Sequence, residues 1–360
     1  MEYNLDFDSN QFDSPLGLDP LQTHVMSVSS LNLFAKSPAE YRQHILHPKN
    51  VEASYFTKGS AVDCLITEPE KFDEQFAVIK TGKPSGMLGE ICALMHDYIE
   101  GNEGSLPEET LFKLAYQKSE FKLKEESVWK KYQDPKIQQY MNFLKNSKGK
   151  TVIAEGDLEQ VKDVVAMLQN CDKTKFYMKG CESHPMMDVY DQLYIEFEFE
   201  GLLCKGTMDR VIVDHTNKRI IPTDLKTTGK SVLEFANSFI RFGYFRQAAF
   251  YTEALRQWHK RTPSPENSPK NDISEYAIDP FKFIVAEMNC AHQPVVYGCS
   301  VRDINMATHG GILKSGDYVK GISQLLKEVK WHRENDEWFT TYDHAMSYQN
   351  ENCVILDVFN

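Results

Sequence analysis

CKGTMDRVIVDHTNKRIIPTDLKTT, residues 204–228, reads as a strand, a tight turn and a second strand. Residues 208–213 and 219–222 are rich in β-branched and apolar side chains. Residues 214–218 between them are polar and turn-forming. Closing this hairpin returns Asp209 towards Asp224, and Lys226 follows two residues later. Residues two apart in a strand share a face, so Asp224 and Lys226 project together. Two carboxylates converging beside a lysine are suited to holding Mg²⁺ against a phosphate and to charging an attacking water. A lone Asp-x-Lys would be an ordinary pair of surface charges. The second carboxylate at the hairpin's far end separates this stretch from that case.

Further along, a helical stretch carries Gln247 and Tyr251 four residues apart, on one helix face. Taken together, GTMDRV, PTDLKTT and GYFRQAAFYTEAL resemble the core of the PD-(D/E)xK nuclease superfamily, and most closely its phage-type RecE (exonuclease VIII) branch. The resemblance implies that Asp209 and Asp224 hold the metal and that the backbone carbonyl of Leu225 is a further ligand. It implies that Lys226 acts on the water or on the developing charge, two roles that remain open. Gln247 and Tyr251 would support the site and the DNA. Mg²⁺, with Mn²⁺ as a substitute, is the implied cofactor. The implied activity is degradation of duplex DNA from its 5′ ends to leave 3′ single strands. A ring-shaped homo-oligomer and a single-strand annealing partner come with it. An endonuclease on the same site and a non-catalytic DNA-binding protein are the rival readings.

Upstream, KGSAVDCLITEP (58–69) keeps an apolar helical stripe that Pro69 ends. Asp63 sits within that stripe, where a carboxylate is costly unless it is paired or bound to a cation. The resembled pattern has a metal-binding histidine at this place. Asp63 keeps an oxygen ligand and removes the imidazole, so the reading is a metal ligand or a solvent-side carboxylate.

The chain has 360 residues, 41% hydrophobic and 26% charged, the balance of a soluble globular protein. Neither a membrane-spanning run nor a signal pattern is visible, so a cytoplasmic setting is expected. Eight cysteines without a C-x-x-C pair argue against zinc or iron–sulfur sites. A net charge of −12 argues against broad coating of DNA, but leaves room for a local basic channel.

The expected fold is α/β, a mixed central β-sheet flanked by helices. One domain over residues 27–360 is expected behind an acidic tail (1–26), with a helical insertion at 85–150 and a flexible loop at 260–275. In the insertion, a lysine run with Tyr116, Phe121, Trp129 and Tyr132 reads either as a phosphate-tracking surface or as a solvated helix face. A capping box at Asp157 is expected to open a helix that runs to about Asn170. Residues 192–200 alternate as a strand, which sets Glu196 either near the site or on a solvated strand face, with Gln192 and Lys205 as similar flankers. A closing amphipathic helix is expected from Asp317 to Arg333.

Overall fold

The computed structural model describes residues 19–347, apart from 49–53, 81, 83, 102–105, 120–121, 148 and 265–267. The chain opens with α1 (Pro20–Thr23), α2 (Val28–Lys36) and α3 (Pro38–Leu46). Ser27 and Ser37 cap the last two by accepting from Ser30 N and Glu40 N. The expected tail therefore ends earlier than residue 26. Leu21 and Met26 are buried, and the backbone of Met26 hydrogen-bonds to Leu203 and Lys205. Residues 1–18 of the expected tail lie outside the described residues.

Next come α4 (Ser54–Thr67), α5 (Phe72–Gln75) and β1 (Phe76–Ile79), which pairs in parallel with β2 (Thr151–Ala154). Between those strands lie α6 (Gly86–Glu100), α7 (Glu108–Lys118), α8 (Glu125–Tyr132) and α9 (Pro135–Asn146). These four pack on a core of their own around Met95, Phe112 and Met141. Its aromatic residues are committed there: Phe112 meets Trp129 edge-on at 4.7 Å, and Trp129 stacks on Tyr132 at 5.4 Å. The structure thus gives Tyr132 and Trp129 a packing role, while Phe121 lies outside the described residues.

Helix α10 (Glu155–Asn170) starts two residues before the expected cap. Asp157 is inside its first turn and pairs with Lys58 at 3.1 Å instead of capping. The central sheet follows, with β3 (Met187–Phe199), β4 (Leu202–Asp214), β5 (Arg219–Thr228), β6 (Ala277–Ile278), β7 (Lys282–Glu287) and β8 (Val295–Gly298). Its order is β3-β4-β5-β7-β8, antiparallel except where β5 runs parallel to β6 and β7. Pro222 would break a ladder in most central strands. Here it falls where β5 passes from β6 to β7, between the paired residues Ile220 and Thr223.

Helices α11 (Phe235–Arg241), α12 (Tyr244–Trp258), α13 (Val301–His309) and α14 (Ile322–Asn335) complete the layers, with α15 (Tyr342–Ser347) at the end. Strand β7 is buried on both faces, as a covered parallel strand should be. Phe283 and Val285 face the core shared with α12 and α14, and Ile284 and Ala286 face α4 and α10. The sheet is therefore sandwiched between helical layers, as the sequence predicts. A small hairpin pairs β9 (Gly311–Ile312) with β10 (Tyr318–Val319), so the closing helix begins only at Ile322. Among the described residues, no helix is long and apolar enough to cross a membrane.

Candidate active site

The β4–β5 turn is built by Asp214. Its buried carboxylate accepts from the backbone of Thr216 and Asn217 and from the Asn217 amide. Burial alone would raise its pKa, but these hydrogen bonds outweigh that and hold it low. This acid is structural, and it fixes the register Arg210↔Thr223.

One step beyond that pair, the ladder stops. Continuing the register would set Asp209 opposite Asp224. Instead Leu225 N donates to Asp209 Oδ2 at 2.7 Å, so a side chain replaces the next backbone bond. On the other edge of β4, pairing to β3 skips Gln192 between Asp191↔Arg210 and Leu193↔Met208. Gln192 has φ +47°, a left-handed conformation rare for a side chain of this kind. The sheet opens on both sides of Asp209, and side chains from both helical layers enter the opening.

From α12 comes Gln247, whose Nε2 donates to Asp224 Oδ1 at 2.6 Å. Tyr251 lies one turn on, with its ring against Gly206 of β4. A Cβ on Gly206 would stand 2.7 Å from Tyr251 Cε1, so only glycine lets α12 lie this close. From the other layer comes α4, seated near β5 because a Cβ on Gly59 would be 3.0 Å from Thr227 Oγ1. It presents Asp63, whose Oδ2 accepts from Gln192 Nε2 at 2.9 Å. Asp63 Oδ1 is buried with no hydrogen-bond partner. Lys226 forms an ion pair with Asp224, and its ammonium lies over the rings of Tyr244 (5.1 Å) and Phe283 (6.0 Å).

The electrostatics follow from crowding three acids around one lysine. Burial, then the charge of Asp224, pushes Asp63 up to about 6. Burial, then Asp224 and Asp63, raises Asp209 well above the carboxylate range. Asp224, 1% exposed, is raised by burial against the opposing pull of Lys226 and Gln247. For Lys226 burial works downward, but Asp224 and Asp209 prevail and hold the ammonium above its ordinary pKa. Burial and the same two acids raise the Tyr251 hydroxyl.

This cluster has the chemistry of a hard divalent-cation site: surplus carboxylates, an orphaned oxygen on Asp63, and a backbone carbonyl at Leu225 between Asp224 and Lys226. Among the described residues, no three Asp, Glu, His or Cys side chains are grouped as a set that could hold a metal ion, so a cation here would need the Leu225 carbonyl and a shift of Lys226 away from Asp224. The Lys226 ammonium lies against Asp224 and supplies positive charge there.

The structure thus brings together Asp63, Asp209, Asp224, Lys226, Gln247 and Tyr251. It leaves Glu196 and Lys205 exposed, with Glu196 taking a hydrogen bond from Tyr194 on the outer face. Two contributors are less visible in sequence. Gln192 sits opposite Asp209, a placement recoverable by counting back from the Glu200–Gly201 turn, where both residues have positive φ. Arg210, 3% exposed, donates to Asp191 (2.6 Å), to the carbonyls of Tyr177 and Met178, and to Ile66 O at 3.2 Å. It therefore ties the end of α4 to β4 beside Asp63. A buried arginine beside an active-site aspartate carries no sequence signal that separates it from a surface one.

A family model described as a PDDEXK-like domain of unknown function (DUF3799) matches residues 27–266. A crystal structure of a candidate exonuclease from Eubacterium rectale is similar at TM-score 0.40 and 13% identity, covering 87% of this chain and 80% of that one. No curated protein matches the chain.

Proposed function

Starting from the fact that this chain belongs to the PDDEXK-like family of that model, we propose that it is a metal-dependent deoxyribonuclease working at the Asp209–Asp224–Lys226 cluster. The observation that carries this is the opening of the sheet at Asp209, into which Asp63, Asp224, Lys226 and Gln247 converge.

Asp63, Asp209, Asp224 and the Leu225 carbonyl would hold Mg²⁺, with Mn²⁺ as a substitute. Such an ion, when bound, offsets charge growing on a phosphoryl group and makes bound water more acidic. Gln247 fixes one oxygen of Asp224, leaving the other turned to Lys226. An ammonium held against a carboxylate donates rather than accepts, so Lys226 orients water or steadies the charge of the phosphate. Tyr251 and Gly206 set how close α12 stands to β4.

The finer reading is an exonuclease that enters at duplex DNA ends, removes nucleotides from the 5′ side and leaves 3′ single strands for phage-type recombination. A ring-shaped homo-oligomer and an annealing partner belong to that same reading. The test incubates purified protein and Mg²⁺ with linear and with covalently closed circular duplex. Loss of linear DNA alone supports an exonuclease, cleavage of both makes it an endonuclease, and cleavage of neither leaves a DNA-binding protein. End-labelled strands then report polarity. Asp224→Ala and Lys226→Ala are expected to abolish cleavage while the protein remains folded. Near-normal Mg²⁺-dependent cleavage by either variant would remove this cluster as the active site.

A further inference from the structure

A cleft of about 420 Å³ leads away from the cluster between the end of β5 and α11. That volume is in the range of ligand-holding clefts, roughly 300–1,000 Å³. Lys226 belongs both to the cluster and to the wall of this cleft, so its side chain joins the two. Along one wall, charge and aromatic rings alternate. The Lys226 ammonium is 5.1 Å from the Tyr244 ring, the Tyr244 and Phe242 rings are 5.7 Å apart, and the Arg241 guanidinium is 5.4 Å from the Phe242 ring. Lys230 adds a cation and Glu234 an acid. Lys226 is paired with Asp224, which leaves two cations, Lys230 and Arg241, against one acid in a chain of net charge −12.

Phe242 is 48% exposed, an unfavourable place for a large apolar ring. It is also held there. It ends α11 at an elbow where Gly243 has φ +69°, and a Cβ on Gly243 would meet Asn32 Oδ1 at 2.6 Å. Asn32 Nδ2 donates to Phe242 O at 3.3 Å, and Arg246 donates to Asn32 Oδ1 at 3.2 Å and to Lys320 O at 3.4 Å. Three segments of chain thus fix the backbone that presents this ring to solvent. An exposed ring on a fixed backbone beside exposed cations is the arrangement that stacks a base while charge takes the phosphate.

We propose that this cleft holds an unpaired nucleotide of the strand being cut, its base stacked on Phe242 and its phosphate between Arg241 and Lys230. The proposal rests on the nuclease reading for the identity of the ligand, and on the cleft for its place. It makes α11 and its elbow the part that separates an unpaired strand from intact duplex.

The experiment measures binding rather than cleavage. Full-length protein in EDTA is titrated with a dye-labelled oligothymidylate and, separately, with a blunt hairpin duplex. Phe242→Ala is expected to weaken oligothymidylate binding roughly tenfold, the scale of one lost base stack. Phe242→Tyr, which keeps the ring, should restore it. Arg241→Gln should weaken binding and flatten its salt dependence by about 0.7 in log–log slope, one phosphate contact on a single strand. Loss confined to the single-stranded probe supports the assignment. Unchanged oligothymidylate binding in Phe242→Ala, no rescue by tyrosine, or equal loss on both probes overturns it. A wild type that shows this binding pattern yet cleaves nothing with Mg²⁺ refutes the nuclease reading and leaves the cleft standing. A wild type that cleaves, with Phe242→Ala binding as well as wild type, refutes the cleft alone.

Discussion

Replacing Asp63 by asparagine separates what a carboxylate does for a metal from what it does to the fold. In the metal-free protein the Asp63 pKa is raised from 3.8 to about 6, first by burial and then by Asp224. Its folded pKa lies above its unfolded one, so between these values the folded state binds more protons. Stability therefore falls as pH rises through about 4 to 6, and at neutral pH the full penalty of the ionised group is present. About two units at ~1.4 kcal/mol each set a ceiling near 3 kcal/mol, and partial access of water brings the expected figure to about 1–2 kcal/mol. The asparagine side chain would keep the bond from Gln192 through its carbonyl oxygen, so removing the charge leaves that contact intact. The expected outcome for Asp63→Asn in EDTA at pH 7.5 is a melting temperature higher by about 2–4 °C, at roughly 2 °C per kcal/mol for a chain of this size. At pH 4 the gain should vanish. The Mg²⁺ titration of cleavage should move the other way, its midpoint rising because a neutral amide is a poorer partner for a hard cation. Equal melting temperatures at both pH values, with an unchanged metal midpoint, would refute the reasoning and place Asp63 outside the cluster.

Gln247→Ala is expected to lower turnover more than tenfold while costing about 1–3 kcal/mol of stability and leaving the protein folded, because Asp224 loses one hydrogen bond but keeps its pair with Lys226; an activity loss that only tracks the unfolded fraction would reduce Gln247 to packing. Gly206→Ala should drive Tyr251 from β4 and cost about 1–3 kcal/mol. Thermal melting checks it, and a neutral effect would show that α12 does not depend on this close approach.

Much of this was legible in the hairpin and its two flanking pieces. Alternation gave β3, the turn residues gave the β4–β5 register, and i,i+4 spacing put Gln247 and Tyr251 on one face. These are local patterns, and local geometry carries them. The departures arise where tertiary contact wins. Asp157 has the right spacing for a cap, yet a salt bridge with Lys58 uses it inside the helix. Trp129 and Tyr132 read as part of a DNA surface or of a solvated helix face until a separate four-helix core claims them. Arg210 gains its role only from what the fold places beside it, the carbonyl of Ile66 at the end of α4.

The hydrogen bonds of Met26 bear on where this folding unit begins. Below Asp209, β5 has turned away from β4, and Met26 occupies the vacated edge through its bonds to Leu203 and Lys205. The family match begins one residue later, at 27. A protein trimmed to that boundary would keep every residue of the cluster and lose the cover of a central strand. An uncovered strand edge invites pairing with a second chain. The short segment ahead of Ser27 thus covers part of that edge, and a recombinant fragment should start far enough upstream to keep Leu21 and Met26.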